Sequence, residues 1–434
     1  MSSKDASLHK RKASSPEASS SSSSKYDSKK ARKEDSKDKS LGQQQQHADD
    51  CEDEDCEIVL QFETTPSAVE LFQMAREEAS KGTATEIGST SRLSRMAKAL
   101  YDKAIEEFEA FDKSHAHIEM NDGTEIAANV LETKIQHAAC VVAVGNAMPS
   151  SEMLQEGTRM FEELAKTTEK KNGSVLVGLG IAEISQARDL RKKAMKAMDT
   201  QAEDDDAEPS EEQREAAALV GKVEFKLATQ ATENFNKGLE LLKATPESDF
   251  AQQSIRVAQE LEEYGVILDM RANRDLVAKI LDQAIQHLEA AQSVKPDLIK
   301  SNPDALTIFG SCLHSKARLV DNQDPGDQNP AYALVEKAIE LLTMANDMQD
   351  EEANAKTLEA LGQAYLMSTG LLEDEDMVMN RFDLATETLI RALDLDPDND
   401  VLREQVAALQ EGDGYEDEYE GEDLEDEDDD EEAE

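Results

Sequence analysis

Tryptophan is absent from the 434 residues, and aromatic side chains make up 4% of the total. A core built without large rings must be filled by Ala, Leu and other compact residues, which suits close helix-on-helix packing. The four cysteines, Cys51, Cys56, Cys140 and Cys312, form no disulfide framework and are expected to be reduced thiols. Cys51 and Cys56, with His47 nearby, lack the second ligand pair of a zinc site. No run approaches the ~18 consecutive apolar residues that span a bilayer, so no membrane partner is expected. The N-terminus has no apolar h-region of a secretory signal. There is no phosphate-binding G-x-x-x-x-G-K-[ST], no nucleophile elbow and no H-E-x-x-H. His287-Leu288-Glu289 with the distant His314 imitates an iron-binding triad, but side chains at i and i+2 diverge on a helix. The chain is therefore expected to be no enzyme and to need no cofactor.

Positive charge is scarce as well: 46 basic residues stand against 95 acidic ones, for a formal net charge of -49. The basic residues concentrate at the start. Residues 1–40 carry about 11 basic and 6 acidic groups, whereas residues 411–434 carry about 17 acidic groups and no basic one. Without both ends the body keeps a charge near -37, about three quarters of the total. Such a body repels nucleic acid, so no direct nucleic-acid binding is expected, and it attracts basic proteins.

Residues 1–60 are poor in large apolar side chains and contain the runs Ser19 to Ser24 and Gln43 to Gln46. The segment is expected to be disordered, basic first and then an acidic linker (CEDEDCE). Within it, Lys10-Arg11-Lys12 and Lys29-Lys30-Ala31-Arg32-Lys33 fit a bipartite import signal, because an extended basic cluster fits the acidic groove of an import receptor. The predicted location is the nucleus, with shuttling to the cytoplasm allowed. Residues 411–434 read as a disordered acidic tail.

Between these ends, residues 61–410 repeat one pattern about six times. A small residue is followed four later by a large apolar one and three later by another compact or apolar one. The copies are Ala97-Tyr101-Ala104, Gly157-Phe161-Leu164, Ala231-Phe235-Gly238, Ala284-Leu288-Ala291, Ala331-Val335-Ala338 and Ala385-Leu389-Ala392. Positions i, i+4 and i+7 share a helix face, and small residues there let a second helix approach closely. The spacing predicts helix pairs at 66–82 with 91–112, 125–148 with 151–169, and 174–199 with 214–244. Further pairs are predicted at 249–270 with 273–293, 303–320 with 330–348, and 353–369 with 378–395, capped by 399–410. An acidic loop is expected near 200–213. Gly178 and Gly180 fall in an apolar run with no preceding strand and read as close-packing positions. The basic run Arg188 to Lys196 reads as a patch favouring the helix C-terminus, or as a contact for the chain's own acidic segments.

Leu361-Gly362-x-x-Tyr365 is the first-helix signature of a tetratricopeptide repeat, and Ala385, Leu389, Ala392 and Pro397 match its second helix and terminating proline. Phe309-Gly310-x-x-Leu313 with Ala331 and Ala338 repeats the design with an expanded turn. The repeat distance, about 47 to 74 residues, exceeds the standard 34. The fold class is all-α: a diverged tetratricopeptide-like helical array.

Basic start, degenerate helical body and acidic end, together with Leu361-Gly362-Gln363-Ala364-Tyr365 and Arg391-Ala392-Leu393, give the chain a resemblance to the fungal enhancer-of-translation-termination family. The family includes a nuclear negative regulator of a prolyl-hydroxylase-like oxygenase. The resemblance implies an adaptor that binds an Fe(II)/2-oxoglutarate oxygenase and supports its import. It also implies a link to a basic small-subunit ribosomal protein and to translation termination. No functional residue carries over by motif. The competing expectation is an acidic tetratricopeptide-type histone chaperone, which the acidic stretch Glu203 to Glu212 and the acidic tail suit.

Overall fold

The computed structural model describes residues 60, 62, 64–81, 94–118, 124–204, 214, 217–245, 249–320, 329–349 and 354–412. The described residues are helices and their connections, with no strand among them. The helices are α1 (Ala68–Lys81), α2 (Arg95–Ser114), α3 (Glu125–Ala147), α4 (Ser151–Thr167), α5 (Gly173–Asp204), α6 (Lys222–Lys243) and α7 (Phe250–Val266). Next come α8 (Arg274–Val294), the single-turn α9 (Pro296–Lys300), α10 (Pro303–Arg318), α11 (Pro330–Gln349), α12 (Ala355–Thr369), α13 (Glu375–Leu395) and α14 (Asp400–Gly412).

The dominant helix contacts are between partners in sequence: α1 with α2, α3 with α4, α5 with α6, α7 with α8, α10 with α11, and α12 with α13. The pairs stack in order. Each first helix touches the first helix of the next pair, along α1, α3, α5, α7, α10 and α12. Each second helix also touches the following first helix, and α14 packs on α13 at the end. A layer of first helices backed by a layer of second helices is an all-α repeat array.

Local chemistry sets the helix starts. Oxygen-bearing side chains cap free N–H groups of the first turn. Thr124 accepts from Ala127 at 3.2 Å, Asn172 from Val175 at 3.0 Å, Asn302 from Ala305 at 3.2 Å and Asn354 from Lys356 at 2.9 Å. At α1, Ser67 and Glu70 cap each other: the Ser67 N–H donates to the Glu70 carboxylate at 2.7 Å, and the Glu70 N–H donates to Ser67 Oγ at 3.3 Å.

Glycines on first helices receive the large side chains of second helices. A Cβ on Gly178 would lie 2.3 Å from Phe161 Cε1, and one on Gly180 would lie 2.6 Å from Phe235 Cε1. Gly310 lies under Leu342 and Gly362 under Leu389 in the same way, at 2.5 and 2.6 Å to Cγ. Phe161 and Phe235 are fully enclosed. Gly178→Ala is therefore expected to cost about 1–3 kcal/mol by overpacking. Adding Phe161→Leu should recover part of that loss in thermal denaturation. Wild-type stability of the single variant would refute this packing account.

The repeat positions Ala97, Tyr101, Ala104, Phe161, Phe235, Ala284, Leu288, Ala291, Ala331, Ala338, Leu361, Ala385, Leu389 and Ala392 are buried, as are Gly310 and Gly362. Two differ from the reading of the sequence. Tyr365 is half-buried, with Arg381 5.3 Å over its ring. Pro397 is exposed in the α13–α14 turn, where its carbonyl accepts a hydrogen bond from Arg403. It ends a helix without belonging to the core.

Some boundaries also differ. α5 continues to Asp204, into the stretch read as a loop; helix is present at 214 and at 217–218 as expected, but it is interrupted at 219–221 before α6 begins at Lys222. α13 begins three residues early because Asp374 caps it, accepting from the Met377 N–H at 3.0 Å. The single-turn α9 had no counterpart in the sequence reading.

Candidate protein-interaction surface

The first helices contribute most of the side chains that line a groove on the array. A groove of about 790 Å³ opens between α1, α3, α5, α7 and the end of α6. Small residues keep its floor low: Ala139 and Ala143 on α3, Gly173 and Gly178 on α5. Gly173 also lets the two helices of its pair meet, since a Cβ there would lie 2.7 Å from the Gly238 carbonyl oxygen.

The walls of the groove are mostly polar. Gln136, Asn146, Gln253 and Gln259 are among its lining residues. Their nitrogens donate to Glu132 at 2.9 Å, Ser185 at 2.9 Å, Asp249 at 2.8 Å and Glu263 at 3.0 Å, respectively. Two guanidinium groups line it too, together with Lys171 and the carboxylates of Glu132, Asp249 and Glu260. Arg76 is exposed and lies 5.9 Å over the Phe72 ring. Arg256 is half-buried and makes no hydrogen bond or ion pair among the described residues. Its pKa is pushed below the usual arginine value, first by burial and further by the Arg76 charge, while Glu260 and Asp249 oppose the shift.

The basic run Arg188 to Lys196 is internal bracing: Arg188 and Arg191 meet acidic residues of the chain itself, while the run lies short of the α5 C-terminus at Asp204, which corrects its reading as a patch favouring the helix end. Arg188 donates to Glu260 and Glu263 and so ties α5 to α7. Arg191 is 2% exposed and clamps Glu224 through two bonds of 2.9 and 2.8 Å. Lys193 donates to Asp189 at 2.9 Å, and Lys192 and Lys196 are engaged as well.

A second cavity, about 540 Å³, lies among α2, α3 and α4. Glu109, Asp112, Glu152, Glu156 and Glu163 line it, with His137 and Arg159. His137 Nδ1 meets Asp112 Oδ2 at 2.7 Å and its ring stacks on Phe108 at 5.2 Å. Arg159 is paired with both Glu156 and Glu163.

Several titratable groups, buried or half-buried, lie within the array. Glu183 on α5 accepts from Asn234 Nδ2 at 2.8 Å, and burial pushes its pKa up to about 7. His287 and His314 are pushed down to about 4, chiefly by burial. Cys140 and Cys312 are free and buried. Among the described residues no group of three or more His, Cys, Asp or Glu side chains could hold a metal ion, and no helix is long and apolar enough to cross a membrane.

The import-signal residues Lys10, Arg11, Lys12, Lys29, Lys30, Arg32 and Lys33 lie outside the described residues, as do Cys51, Cys56 and the tail from 413 onward. The groove itself escaped the sequence reading. Arg76 and Arg256 belong to different repeats, and no local pattern marks them as neighbours.

No family pattern matches the chain, and no curated protein matches it. Two solved structures of Nro1 are similar to it. One, described as the S. pombe nuclear import adaptor Nro1, shares 14% identity, covers 79% of this chain and 97% of its own, and superposes with a TM-score of 0.39. The other, described as the hypoxic regulator of sterol synthesis Nro1, a nuclear import adaptor, shares 15% identity over 79% of this chain and 91% of its own, with a TM-score of 0.37.

Proposed function

We propose that the chain is a nuclear protein-interaction adaptor that binds an Fe(II)/2-oxoglutarate prolyl hydroxylase, affects its import or regulation, and bears on translation termination. The observation that supports an adaptor is the stack of six helix pairs, with an open groove bounded by four of its first helices and lined largely by polar side chains. A stacked array offers a long, preformed surface, so a protein client binds without first ordering that surface. The identity of the client comes from the family resemblance. The basic clusters at the start of the chain provide the import-receptor contact. The excess of carboxylates provides long-range attraction for a basic client such as a ribosomal protein.

The histone-chaperone alternative draws on one observation, the carboxylate-lined cavity among α2, α3 and α4. Calorimetry with purified proteins separates the two readings. The adaptor should bind the oxygenase with an affinity that survives moderate salt, because apolar contacts are not screened. Tight, salt-sensitive histone binding without oxygenase binding would establish the chaperone instead. Replacing Lys29, Lys30, Arg32 and Lys33 together by Ala is expected to move a fluorescently tagged chain from nucleus to cytoplasm. Unchanged nuclear signal in cells lacking the oxygenase would remove these residues from the import mechanism.

A further inference from the structure

We infer that the groove between α1, α3, α5 and α7 holds an extended acidic peptide segment of a partner protein, with Arg76 and Arg256 taking its carboxylates. This rests on the adaptor reading and specifies the chemistry of what the groove receives.

The charge pattern is the first argument. In a chain with 95 acidic and 46 basic residues, cations readily find carboxylates. Arg188, beside the groove, has two, and Arg159 has two. Arg256 has none within hydrogen-bond reach, although it is half-buried and shares the groove with Arg76. The nearest acids are already in use: Glu260 accepts from Arg188 and Asp249 accepts from Gln253. An unpaired, partly desolvated guanidinium is costly, and a ligand carboxylate would relieve the cost with a charge-assisted bidentate bond.

The amides are the second argument. Gln136 and Asn146 lie on α3 and Gln253 lies on α7, and each has committed a nitrogen within the protein. Their oxygens can accept from the main-chain N–H groups of an extended strand, which recur along it at a regular spacing. First helices packed ~9 Å apart place α3 and α7 roughly 18 Å apart, the reach of about six extended residues. Nucleic acid fits less well, since it carries a phosphate at every residue and would meet Glu132, Asp249 and Glu260 as well as the arginines, whereas a peptide can place its carboxylates at the arginines and neutral residues elsewhere.

The test uses the full chain and two fluorescein-labelled octapeptides, one alternating Glu and Ala and the other alternating Gln and Ala. Fluorescence anisotropy at low salt should show the Glu peptide binding at least tenfold more tightly. Arg256→Gln and the exposed Arg76→Gln should each lose about tenfold, Arg256→Lys should retain part of the affinity, and circular dichroism and melting temperature should be unchanged. Equal binding of the two peptides, or variants that bind like wild type, would overturn the inference. So would Glu-peptide binding that appears only after residues 413–434 are removed, since the groove would then serve the chain's own tail. Tighter binding of an RNA oligomer with the same arginine dependence would also overturn it. If the peptide fails while the oxygenase still binds, only this inference falls. If the peptide binds and no oxygenase does, only the identity of the client falls.

Discussion

Arg191→Ala is expected to destabilise the protein by about 3–5 kcal/mol, the usual cost of stranding one partner of a buried ion pair. Arg191 and Glu224 are 2% and 4% exposed, too enclosed for water to take over the lost bonds. Arg191 also donates to the Ala217 and Ala218 carbonyls at 2.8 and 3.2 Å. Tyr264 donates its hydroxyl to Glu224 at 3.0 Å, which ties in α7. Asn273 donates to the Ala218 carbonyl at 2.7 Å and accepts from the Val220 N–H at 3.0 Å. One guanidinium thus fixes the approach to α6 and joins the third helix pair to the fourth. Urea denaturation should show the loss. The double variant Arg191→Met with Glu224→Leu should be less damaged than either single change, because no charge is left stranded. A single variant within about 1 kcal/mol of wild type would show that water reaches the site and that the pair carries little.

Acidification should set two half-buried histidines against several partly or fully buried carboxyl groups. His287 and His314 are held at about 4, below the ordinary 6.5. The unfolded chain therefore binds protons first as pH falls. Their contribution to stability is complete above pH 6.5 and is lost as pH drops toward 4, at a cost of up to roughly 3 kcal/mol each. Glu183 acts in the opposite sense. Raised from 4.5 to about 7, it binds a proton first in the folded state, so its contribution is full below pH 4.5 and is lost as pH rises through 7. Burial raises Glu262 and Glu359 in the same direction. In urea denaturation at pH 7.5, 6 and 5, Glu183→Gln should be more stable than wild type at pH 7.5 and lose stability more steeply on acidification. The double variant His287→Gln with His314→Gln should instead hold or gain stability as pH falls. Parallel curves for all three proteins would mean that these side chains are hydrated in the folded state.

Helix periodicity was legible because it is a local property. Ala97, Tyr101 and Ala104 share a face by spacing alone, and so do Ala284, Leu288 and Ala291. The close-packing role of Gly178 and Gly180 could be read from an apolar run with no strand before it. The start of α6 could not. Residues 217 and 218 are helical and the chain leaves the helix at 219–221, because an arginine 26 residues earlier takes the Ala217 carbonyl and an asparagine 55 residues later takes that of Ala218. The partners of the basic run at Arg188 to Lys196 were hidden for the same reason, because the carboxylates that neutralise Arg188 and Arg191 lie 33 to 75 residues away.

The sequence by itself determined an all-α array of helix pairs and where most of its helices begin and end. Side-chain spacing, capping residues and prolines act within a few residues of themselves, so one strand of text contains their whole effect. Only the tertiary structure decided which charges are free and which are spent. Coulomb attraction and desolvation depend on distance in space, and stacking α1 against α3, α3 against α5 and α5 against α7 creates distances that no local pattern encodes. That stacking buries Arg191 against Glu224, uses Arg188 to brace α7, and leaves Arg76 and Arg256 facing an open groove in an otherwise acidic molecule.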